Sequence, residues 1–350
     1  MKIALIAPPW LPVPPRAYGG TEAVVDRLAR GLHAAGHDVV LWASGDSGCP
    51  VPRRAPLSAA QPDLMGQTIP ELFHAVAAYG EVGDADIVHD HTVLGAFAAP
   101  SSARVVVTNH GPFDAMLRPI FEAIARRASV VAISHVQARA AVPGTIRAVI
   151  HHGLDPGSIP VGSGSGGYLA HVGRMSPDKG VVQAIAVAER AGLPLLIAGK
   201  CRDRAEVEFF DAAVRPRLGR DVEYVGEVDE TAKYALMGDA LAFLNPIQWE
   251  EPFGLVMIEA LATGTPVLST ARGAAPEIVE SGRTGWLADS VEALALAVRE
   301  AVALDRGACR LSVEQRFSTT RMVERHLALY LRLLDSPTSE AADGVGSPAA

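Results

Sequence analysis

Lysine, cysteine and aromatic residues are scarce in this 350-residue chain. Lysine supplies only four of the 31 basic side chains, aromatic residues make up 5%, and the three cysteines are Cys49, Cys201 and Cys309. The cysteines lie far apart in sequence, so they form neither the closely spaced ligand pairs of a zinc site nor the framework of a disulfide-rich secreted domain. We therefore expect reduced thiols, as in a cytoplasmic protein.

Long apolar runs and an excess of positive charge are also absent. No segment approaches the roughly 18 apolar residues of a membrane span, and the apolar run at 3–7 ends at Pro8-Pro9, too short for a signal-peptide core. The net charge is −8, and the first 157 residues carry 12 basic and 13 acidic side chains. Neither half has the basic surface of a nucleic-acid binder. We expect a soluble, cytoplasmic protein, with weak association with a membrane surface left open.

The length and the 49% apolar content exceed what one ordinary core needs, which favours two domains. Short apolar strands alternate with helical periods in both halves. The strands are expected at 2–7, 38–43, 87–89, 105–109, 130–133 and 148–150, and then at 168–172, 195–198, 223–225, 242–244 and 266–268. This alternation predicts an α/β fold with parallel sheets that are covered by helices on both faces.

The segment 156–167 contains five Gly, three Ser and two Pro among its twelve residues. This composition is typical of an exposed, flexible connector. We therefore predict an N-terminal domain at 1–156, a second domain at 157–315, a closing helix at 316–334 that packs back toward the first domain, and a disordered tail at 335–350. Two such domains form a cleft at the carboxyl ends of their strands, where these sheets bind ligands.

Two glutamates flank a predicted junction between a loop and a helix. Glu251 precedes Pro252-Phe253-Gly254, and Glu259 lies in the apolar run that follows. Backbone N–H groups at 254–256 would lie at the positive end of the helix, a place for an anion. The carboxylates are at most about 12 Å apart along the axis, which suits two hydroxyl-rich parts of one ligand better than one metal ion. Two solvated acids on a buried helix are the alternative.

Two further segments follow the first strand of each half. Arg174 and Lys179 flank a turn after Gly173, where two cations can clamp a diphosphate. In the first half, Gly19 and Gly20 permit a close approach of the backbone to a ligand at the start of a helix. Taken singly, an ordinary capped turn explains either segment equally well.

The histidines allow more than one interpretation. His110 ends a predicted strand at a Gly-Pro turn and faces the predicted cleft, in a functional or a structural role. His89 and His91 lie on one side of a strand end, but without a third ligand nearby a cleft-lining or structural role is favoured over a metal site. The chain has no G-x-S-x-G elbow, Walker loop or H-E-x-x-H motif, which argues against the usual hydrolase, NTPase and zinc-protease classes.

The E-x7-E spacing of Glu251 and Glu259, the Gly173-Arg174…Lys179 segment and Gly19-Gly20-Thr21-Glu22 together resemble the GT-B glycosyltransferases of family 4 over residues 2–334. The resemblance implies two doubly wound, Rossmann-like domains that face each other across a cleft. It also implies sugar transfer from a nucleotide sugar, expected to be a UDP-sugar, with retention of anomeric configuration. No metal or other cofactor is expected.

The resemblance also assigns roles to single residues. Arg174 and Lys179 would bind the donor diphosphate, Glu259 the ribose and Glu251 the transferred sugar, while His110 lies near the reacting carbon. With Glu251, these two cations and His110 form the expected catalytic set. The other expected donor contacts are Gly19, Gly20, Gly173, Gly199, Lys200, Val225, Gly226, Phe253, Gly254, Leu255 and Val256.

The resemblance leaves the acceptor to the N-terminal domain. Its candidate contacts are Trp10, Arg16, Tyr18 and Phe113. We expect a small-molecule or sugar acceptor, in natural-product or glycoconjugate biosynthesis. Two other functions remain as alternatives: a nucleotide-sugar 2-epimerase of the same architecture, and a nucleotide-sugar-binding protein without turnover.

Overall fold

The computed structural model describes residues 1–335 and contains two parallel β-sheets, one in each half of the chain. The first sheet has seven strands in the order 3-2-1-4-5-6-7, and the second has six in the order 10-9-8-11-12-13. The strand order therefore reverses beside β1 in one sheet and beside β8 in the other, which is the doubly wound topology. The α/β fold with two Rossmann-like domains is thus confirmed. Residues 336–350, nearly all of the predicted tail, lie outside the described residues.

The first sheet and its helices alternate along the chain. The elements are β1 (Lys2–Ile6), α1 (Gly20–Ala34), β2 (Asp38–Trp42), β3 (Arg53–Arg54), α2 (Thr68–Glu81), β4 (Ile87–Asp90), β5 (Val105–Thr108), α3 (Leu117–Ile124), β6 (Ser129–Ala132), α4 (His135–Ala140) and β7 (Ile146–Val149).

The second sheet follows the same pattern. Its elements are β8 (Leu169–Val172), α5 (Val181–Ala191), β9 (Leu195–Ala198), α6 (Arg204–Phe209), β10 (Val222–Gly226), α7 (Glu230–Asp239), β11 (Ala242–Asn245), α8 (Leu255–Ala262), β12 (Val267–Ser269), α9 (Ala275–Ile278), β13 (Gly285–Leu287), α10 (Val291–Val302), α11 (Arg306–Arg316) and α12 (Thr319–Leu334). Within residues 1–335, no helix has both the length and the apolar character that crossing a membrane requires.

Apolar clusters cover both faces of each sheet. Successive side chains of a strand point alternately to these two faces. In β1, Ile3 and Leu5 belong to one apolar cluster, while Ala4 and Ile6 belong to the cluster on the other face. The central strands therefore read as continuous apolar runs. This is why the sequence predicts most of them to within one or two residues.

The glycine-rich segment 156–167 is not a flexible connector, and this part of the prediction is wrong. The N–H groups of Gly162 and Gly164 donate to the carbonyls of Thr263 and Gly238, both at 3.0 Å. A Cβ on Gly162 would lie 2.1 Å from the backbone of Gly238. The glycines thus allow this segment to pack directly on the backbone of the second domain.

The final helix, α12, returns to the first domain, as the sequence predicts. Its Val323 lies against Gly31 of α1, where a Cβ would come within 2.5 Å of the valine. Met322, Leu329 and Tyr330 join the apolar cluster that contains β1. The chain therefore crosses between the domains twice, near 150–155 and at 317–319.

The close backbone contact of Gly162 gives a test of this packing. We expect Gly162→Ala to lower the free energy of unfolding by about 1–3 kcal/mol, because the added methyl group overpacks the contact. Gly219→Ala is the matched control, since nothing lies within 4 Å of its Cβ position. Thermal unfolding followed by circular dichroism measures both. Equal melting temperatures for the two variants would contradict the interpretation.

Candidate active site

A cleft of about 770 Å³ opens between the two domains. It lies at the carboxyl ends of both sheets, where doubly wound folds bind ligands. Its lining includes four residues that directly follow strands of the two sheets, namely His91, Asn109, Gly173 and Gly199, and also Pro8, two residues after β1. The predicted position of the cleft is therefore correct.

The start of helix α8 forms part of the cleft wall. Gly254 precedes the helix with a φ of 89°, and a Cβ there would lie 2.6 Å from Cε of Met257. Glycine therefore allows the sharp entry of the chain into the helix. Leu255 and Val256 line the cleft. The first N–H groups of a helix lack partners within it and carry partial positive charge, so this end can receive an anion.

Lys179 and Glu251, which belong to separate motifs, form an ion pair on this wall. Their side chains are 17% and 15% exposed, so water screens the pair only partly. Trp249 completes the group: its indole N–H donates to Oε2 of Glu251 at 3.0 Å, and Nζ of Lys179 lies 5.2 Å from the ring centre. The cation and the acid that the sequence predicts separately are therefore in direct contact with each other.

The other predicted charges also have partners. Arg174 lies 3.3 Å from the carboxylate of Asp178. Glu259 accepts a hydrogen bond at 2.7 Å from Nζ of Lys233, on α7. Arg174, Lys233 and Glu259 line the cleft. A ligand that binds these groups must exchange or share their present partners.

The two domains approach each other closely at one edge of the cleft. A Cβ on Gly20, at the start of α1, would lie 3.3 Å from Cδ1 of Leu255 at the start of α8. Beside this contact, Arg27 of α1 pairs with Glu230 of α7 at 3.3 Å. The starts of two helices from different domains thus lie next to the same cavity.

A chain of histidine rings runs from the cleft into the first domain. Nε2 of His110 lies 2.9 Å from Nδ1 of His91, and the rings of His110 and His152 stack with centres 5.0 Å apart. His89 lies deeper, and its two ring nitrogens contact the hydroxyls of Tyr330 and Thr108 at 2.6 and 2.7 Å. The hydroxyl partners of His89 agree with the structural role favoured by the sequence.

Burial keeps these histidines neutral. The loss of solvation lowers the pKa of His110 to about 3 and the pKa of His326 to about 4. The pKa values of His89, His91 and His152 also lie well below their ordinary range, again mainly because of burial. At neutral pH, His110 can therefore orient a ligand as a neutral ring.

Glu277 joins the domains behind the cleft. Its carboxylate accepts the backbone N–H groups of His135 and Val136 at 2.9 and 2.7 Å, and it contacts Nε2 of His151 at 2.9 Å. Burial alone would raise the pKa of Glu277, but these hydrogen bonds lower it to about 2. The ligand atoms of His135, His151 and Glu277 lie within 4.8 Å of one another. Both carboxylate oxygens already accept hydrogen bonds, which favours a link between domains over a metal centre.

Most residues predicted for the site line the cleft. They are Trp10, Arg16, Tyr18, Gly19, Gly20, His110, Gly173, Arg174, Lys179, Gly199, Lys200, Glu251, Phe253, Gly254, Leu255, Val256 and Glu259. The structure thus brings together residues from both halves of the chain.

Three predicted residues do not line the cleft. Phe113 is 2% exposed and packs edge-on against Phe121, with ring centres 5.2 Å apart, so it is a core residue. Val225 and Gly226 lie at the end of β10, and the cleft wall is formed instead by the next residues, Glu227 and Val228. The loop after this strand is correctly predicted, but the residues that face the cavity lie further along it.

Several residues of the site belong to none of the motifs in the sequence. Lys233 lies in the middle of α7, and Trp249 precedes the E-x7-E motif that begins at Glu251. His171 is buried with Nδ1 2.9 Å from the carbonyl of Leu244 and no partner on Nε2 among the described residues. The only feature of the sequence that could have indicated Lys233 is the scarcity of lysine. The chain has four lysines, and three of them, Lys179, Lys200 and Lys233, line the cleft.

Comparisons with known proteins agree with this geometry. A family model described as "Glycosyltransferase Family 4" matches residues 18–158, and one described as "Glycosyl transferases group 1" matches residues 163–315. The glycogen synthase of Mycobacterium tuberculosis is 29% identical over an alignment that covers 85% of each chain.

Solved structures share the architecture. AviGT4, a glycosyltransferase involved in avilamycin A biosynthesis, has a TM-score of 0.76 and 25% identity, with 96% of this chain and 99% of that chain covered. Anabaena HepE, in complex with UDP and glucose, has a TM-score of 0.73 and 17% identity, with 95% and 100% covered.

The fold and the cleft define a two-domain glycosyltransferase of the GT-B type. Within this class, the chain belongs to glycosyltransferase family 4. The expected family is thereby confirmed.

The buried histidines give a prediction for the dependence of stability on pH. Histidines in the unfolded chain take up protons below about pH 6.5, whereas His110 and His326 in the folded protein stay neutral to much lower pH. Each such histidine therefore removes about 1.4 kcal/mol of stability per pH unit as the pH falls from 6.5 toward 4. Three buried acids act in the opposite direction, because burial raises the pKa of Glu22 to about 7, that of Asp90 to about 6 and that of Glu71 above its ordinary value, but the five buried histidines outnumber them.

Melting temperatures measured between pH 7.5 and 4.5 test this prediction. We expect a steady fall below pH 6.5, and a shallower fall in His326→Gln, which removes one buried imidazole. A melting temperature that stays constant over this range would refute it.

Proposed function

We propose that this protein is a retaining glycosyltransferase that moves a sugar from a UDP-sugar to a hydroxyl group of an acceptor, without a metal ion. The observation that carries the proposal is the juxtaposition of Lys179, Glu251 and the start of α8 on one wall of the cleft, with Arg174 on the same wall. These groups are suited to a ligand that has both a diphosphate and hydroxyl groups.

The proposed chemistry depends on stabilising a departing diphosphate. Cleavage of its bond to the sugar leaves negative charge on the diphosphate, and cations and helix N–H groups that already surround it lower the barrier. Lys179 and Arg174 supply the cations, and Leu255 and Val256 supply the helix end. In this scheme Lys179 leaves Glu251 for the diphosphate, so Glu251 becomes free to accept hydrogen bonds from the hydroxyls of the sugar.

The nucleotide would lie on the second domain. Glu259 has one carboxylate oxygen on Lys233 and a second that can accept hydrogen bonds from ribose hydroxyls. We propose UDP because the family resemblance implies it and because Anabaena HepE, which has the same fold, was solved in complex with UDP and glucose. Lys200 and Glu227 line the part of the cleft where the base would lie.

Retention of configuration follows from the proposed geometry of attack. The acceptor hydroxyl would attack the anomeric carbon from the face that the diphosphate leaves, and the donor phosphate would take its proton. His110, neutral at pH 7, would orient the sugar through a ring nitrogen. The close approach of Gly20 to Leu255 narrows the cleft at one edge, which helps to exclude water from the reacting carbon.

The acceptor would bind to the first domain. The loop 8–18 lines the cleft with Trp10, Arg16 and Tyr18, and Tyr18 is 50% exposed. An aromatic side chain at such a place can pack on a sugar or an aglycone. The likeness to AviGT4, which takes part in avilamycin A biosynthesis, supports a small-molecule or sugar acceptor in natural-product biosynthesis. A cytoplasmic location stays a prediction from the sequence.

Substitutions at the ion pair test the assignment. We expect Lys179→Ala and Glu251→Gln each to reduce transfer by at least about 100-fold, because each removes a contact that stabilises the transition state. Glu250→Gln is the matched control: its carboxylate accepts the N–H of Gly273 at 2.9 Å, outside the cleft lining, and an amide oxygen can do the same. UDP release from UDP-sugars measures turnover, and NMR of the product reads its anomeric configuration. Near-normal turnover in either variant, or an inverted product, would refute the proposal.

Thermal shift tests the donor and the absence of a metal. A ligand that binds only the folded state raises the melting temperature. We expect UDP at millimolar concentration to raise it more than GDP or ADP does, with the same shift in the presence of EDTA, and we expect transfer to persist with EDTA. If EDTA abolishes both the UDP-induced shift and sugar transfer, and Mn²⁺ or Mg²⁺ restores them, metal independence is disproved. A larger shift of the melting temperature with GDP than with UDP would disprove the choice of base.

A further inference from the structure

The cleft contains a buried carboxyl group to which the proposed donor contacts give no role. Glu22 lies in the first turn of α1, lines the cleft and is only 4% exposed. Its hydrogen bond comes from its own backbone N–H, and within residues 1–335 no other side chain or backbone group is bonded to its carboxyl. Burial raises the pKa of Glu22 to about 7.

Two neighbouring acids on the same wall have bonding partners within the protein. Asp26, one turn further along α1, pairs with Arg30 at 2.7 Å. Glu71 of α2 accepts the backbone N–H of Val93 at 2.6 Å. A buried polar group without a partner costs stability, and such groups are rare in native proteins. Within residues 1–335, Oδ1 of Asp26 is also without a partner, but Glu22 differs from Asp26 and Glu71 in that neither of its carboxylate oxygens is bonded to another residue.

The position of Glu22 indicates which substrate it faces. The cations and acids assigned to the donor, Arg174, Lys179, Glu251 and Glu259, all belong to the second domain. Glu22 lies on the first-domain wall, which also includes Trp10 and Thr92. The first-domain groups expected at the donor are the backbone of Gly19 and Gly20 and the ring of His110, so the carboxyl of Glu22 is left to meet the acceptor.

The charge on α1 restricts the chemistry of that acceptor. The two arginines of this helix that line the cleft, Arg27 and Arg30, are already paired with Glu230 and Asp26. A phosphate or carboxylate beside Glu22 would meet like charge in a poorly solvated place, at a cost that rises as the local dielectric falls. Hydroxyl groups can donate to the carboxylate without that cost.

We propose that Glu22 is an acceptor-binding residue, whose carboxyl group accepts hydrogen bonds from the hydroxyls of an uncharged polyol such as a sugar. This inference rests on the proposed transfer reaction and adds the class of acceptor. It involves binding only, since the proton of the attacking hydroxyl goes to the donor phosphate.

The test compares Glu22→Ala and Glu22→Gln with the wild-type protein, with UDP release from a UDP-sugar as the readout. The probes are glucose, glucose 6-phosphate and glucosamine, added as acceptors. We expect glucose to stimulate UDP release and glucose 6-phosphate to do so less well. At pH 8, above the pKa of Glu22, KM for glucose should rise at least tenfold in Glu22→Ala, because a hydrogen bond to the ionised carboxylate is lost, and Glu22→Gln should restore part of the affinity.

Donor-dependent quantities separate binding from folding. For both Glu22 variants, we expect KM for the donor and the rate of donor hydrolysis to change less than twofold, and the melting temperature to equal or exceed that of the wild type. Asp26→Asn is the matched control: it breaks the ion pair with Arg30 and should lower the melting temperature without a selective change in KM for glucose.

Several results would overturn the inference. They are an unchanged KM for glucose in Glu22→Ala, a preference for glucose 6-phosphate or glucosamine over glucose, and donor hydrolysis that none of the three probes stimulates. A loss of melting temperature in the Glu22 variants would assign the residue to folding instead. Failure of the wild type to release UDP from any UDP-sugar, with or without acceptor, would instead refute the proposed function.

Discussion

The carboxylate of Glu277 fixes the relation between the two walls of the cleft. It receives the backbone N–H groups at the start of α4 and contacts His151, so one acid of the second domain holds two segments of the first. On the far side, α12 crosses back and packs on α1. With the domains held in this way, a Cβ on Gly20 would lie only 3.3 Å from Cδ1 of Leu255 across the cleft edge.

Two glutamates of the second domain that line the cleft are paired with lysines, and this changes the meaning of the domain's net negative charge. Most of the −8 of the chain belongs to the residues after 157, yet the proposed donor carries negative charge. Lys179 and Lys233 lie against Glu251 and Glu259 on the cleft wall. The local arrangement, with cations held at low exposure beside a helix start, therefore governs anion binding more than the total charge does. In the proposed reaction, the substrate exchanges partners with these pairs and does not meet bare acids.

The buried histidines link the reacting end of the cleft to the last helix. His110 and His91 lie at the cleft, His89 packs beside His91 with ring centres 4.2 Å apart, and Tyr330 of α12 contacts His89. Imidazole suits such a place because it has apolar faces and two nitrogens that bond neighbours without charge. The same property makes the fold sensitive to acid. The expected orienting role of His110 stays a prediction, and its position beside the cavity is consistent with it.

The sequence by itself determined eleven of the thirteen strands, the two sheets and the segments that end at the cleft, because apolar periodicity and glycine turns are local signals that the doubly wound topology carries to one edge. The short edge strands β3 (Arg53–Arg54) and β13 (Gly285–Leu287) were not predicted. The sequence also placed Glu251, Lys179 and Gly254 on the cleft edge. Only the tertiary structure decided which partners these groups have: Lys233 meets Glu259 and Lys179 meets Glu251 across 26 and 72 positions of sequence, separations that no local pattern records. It also showed that Phe113 is core and that the glycines at 156–167 serve close packing, because composition cannot distinguish a backbone that is free from one that touches another backbone. For Glu22, the sequence supplied the acid, and burial without a partner made it a candidate for binding.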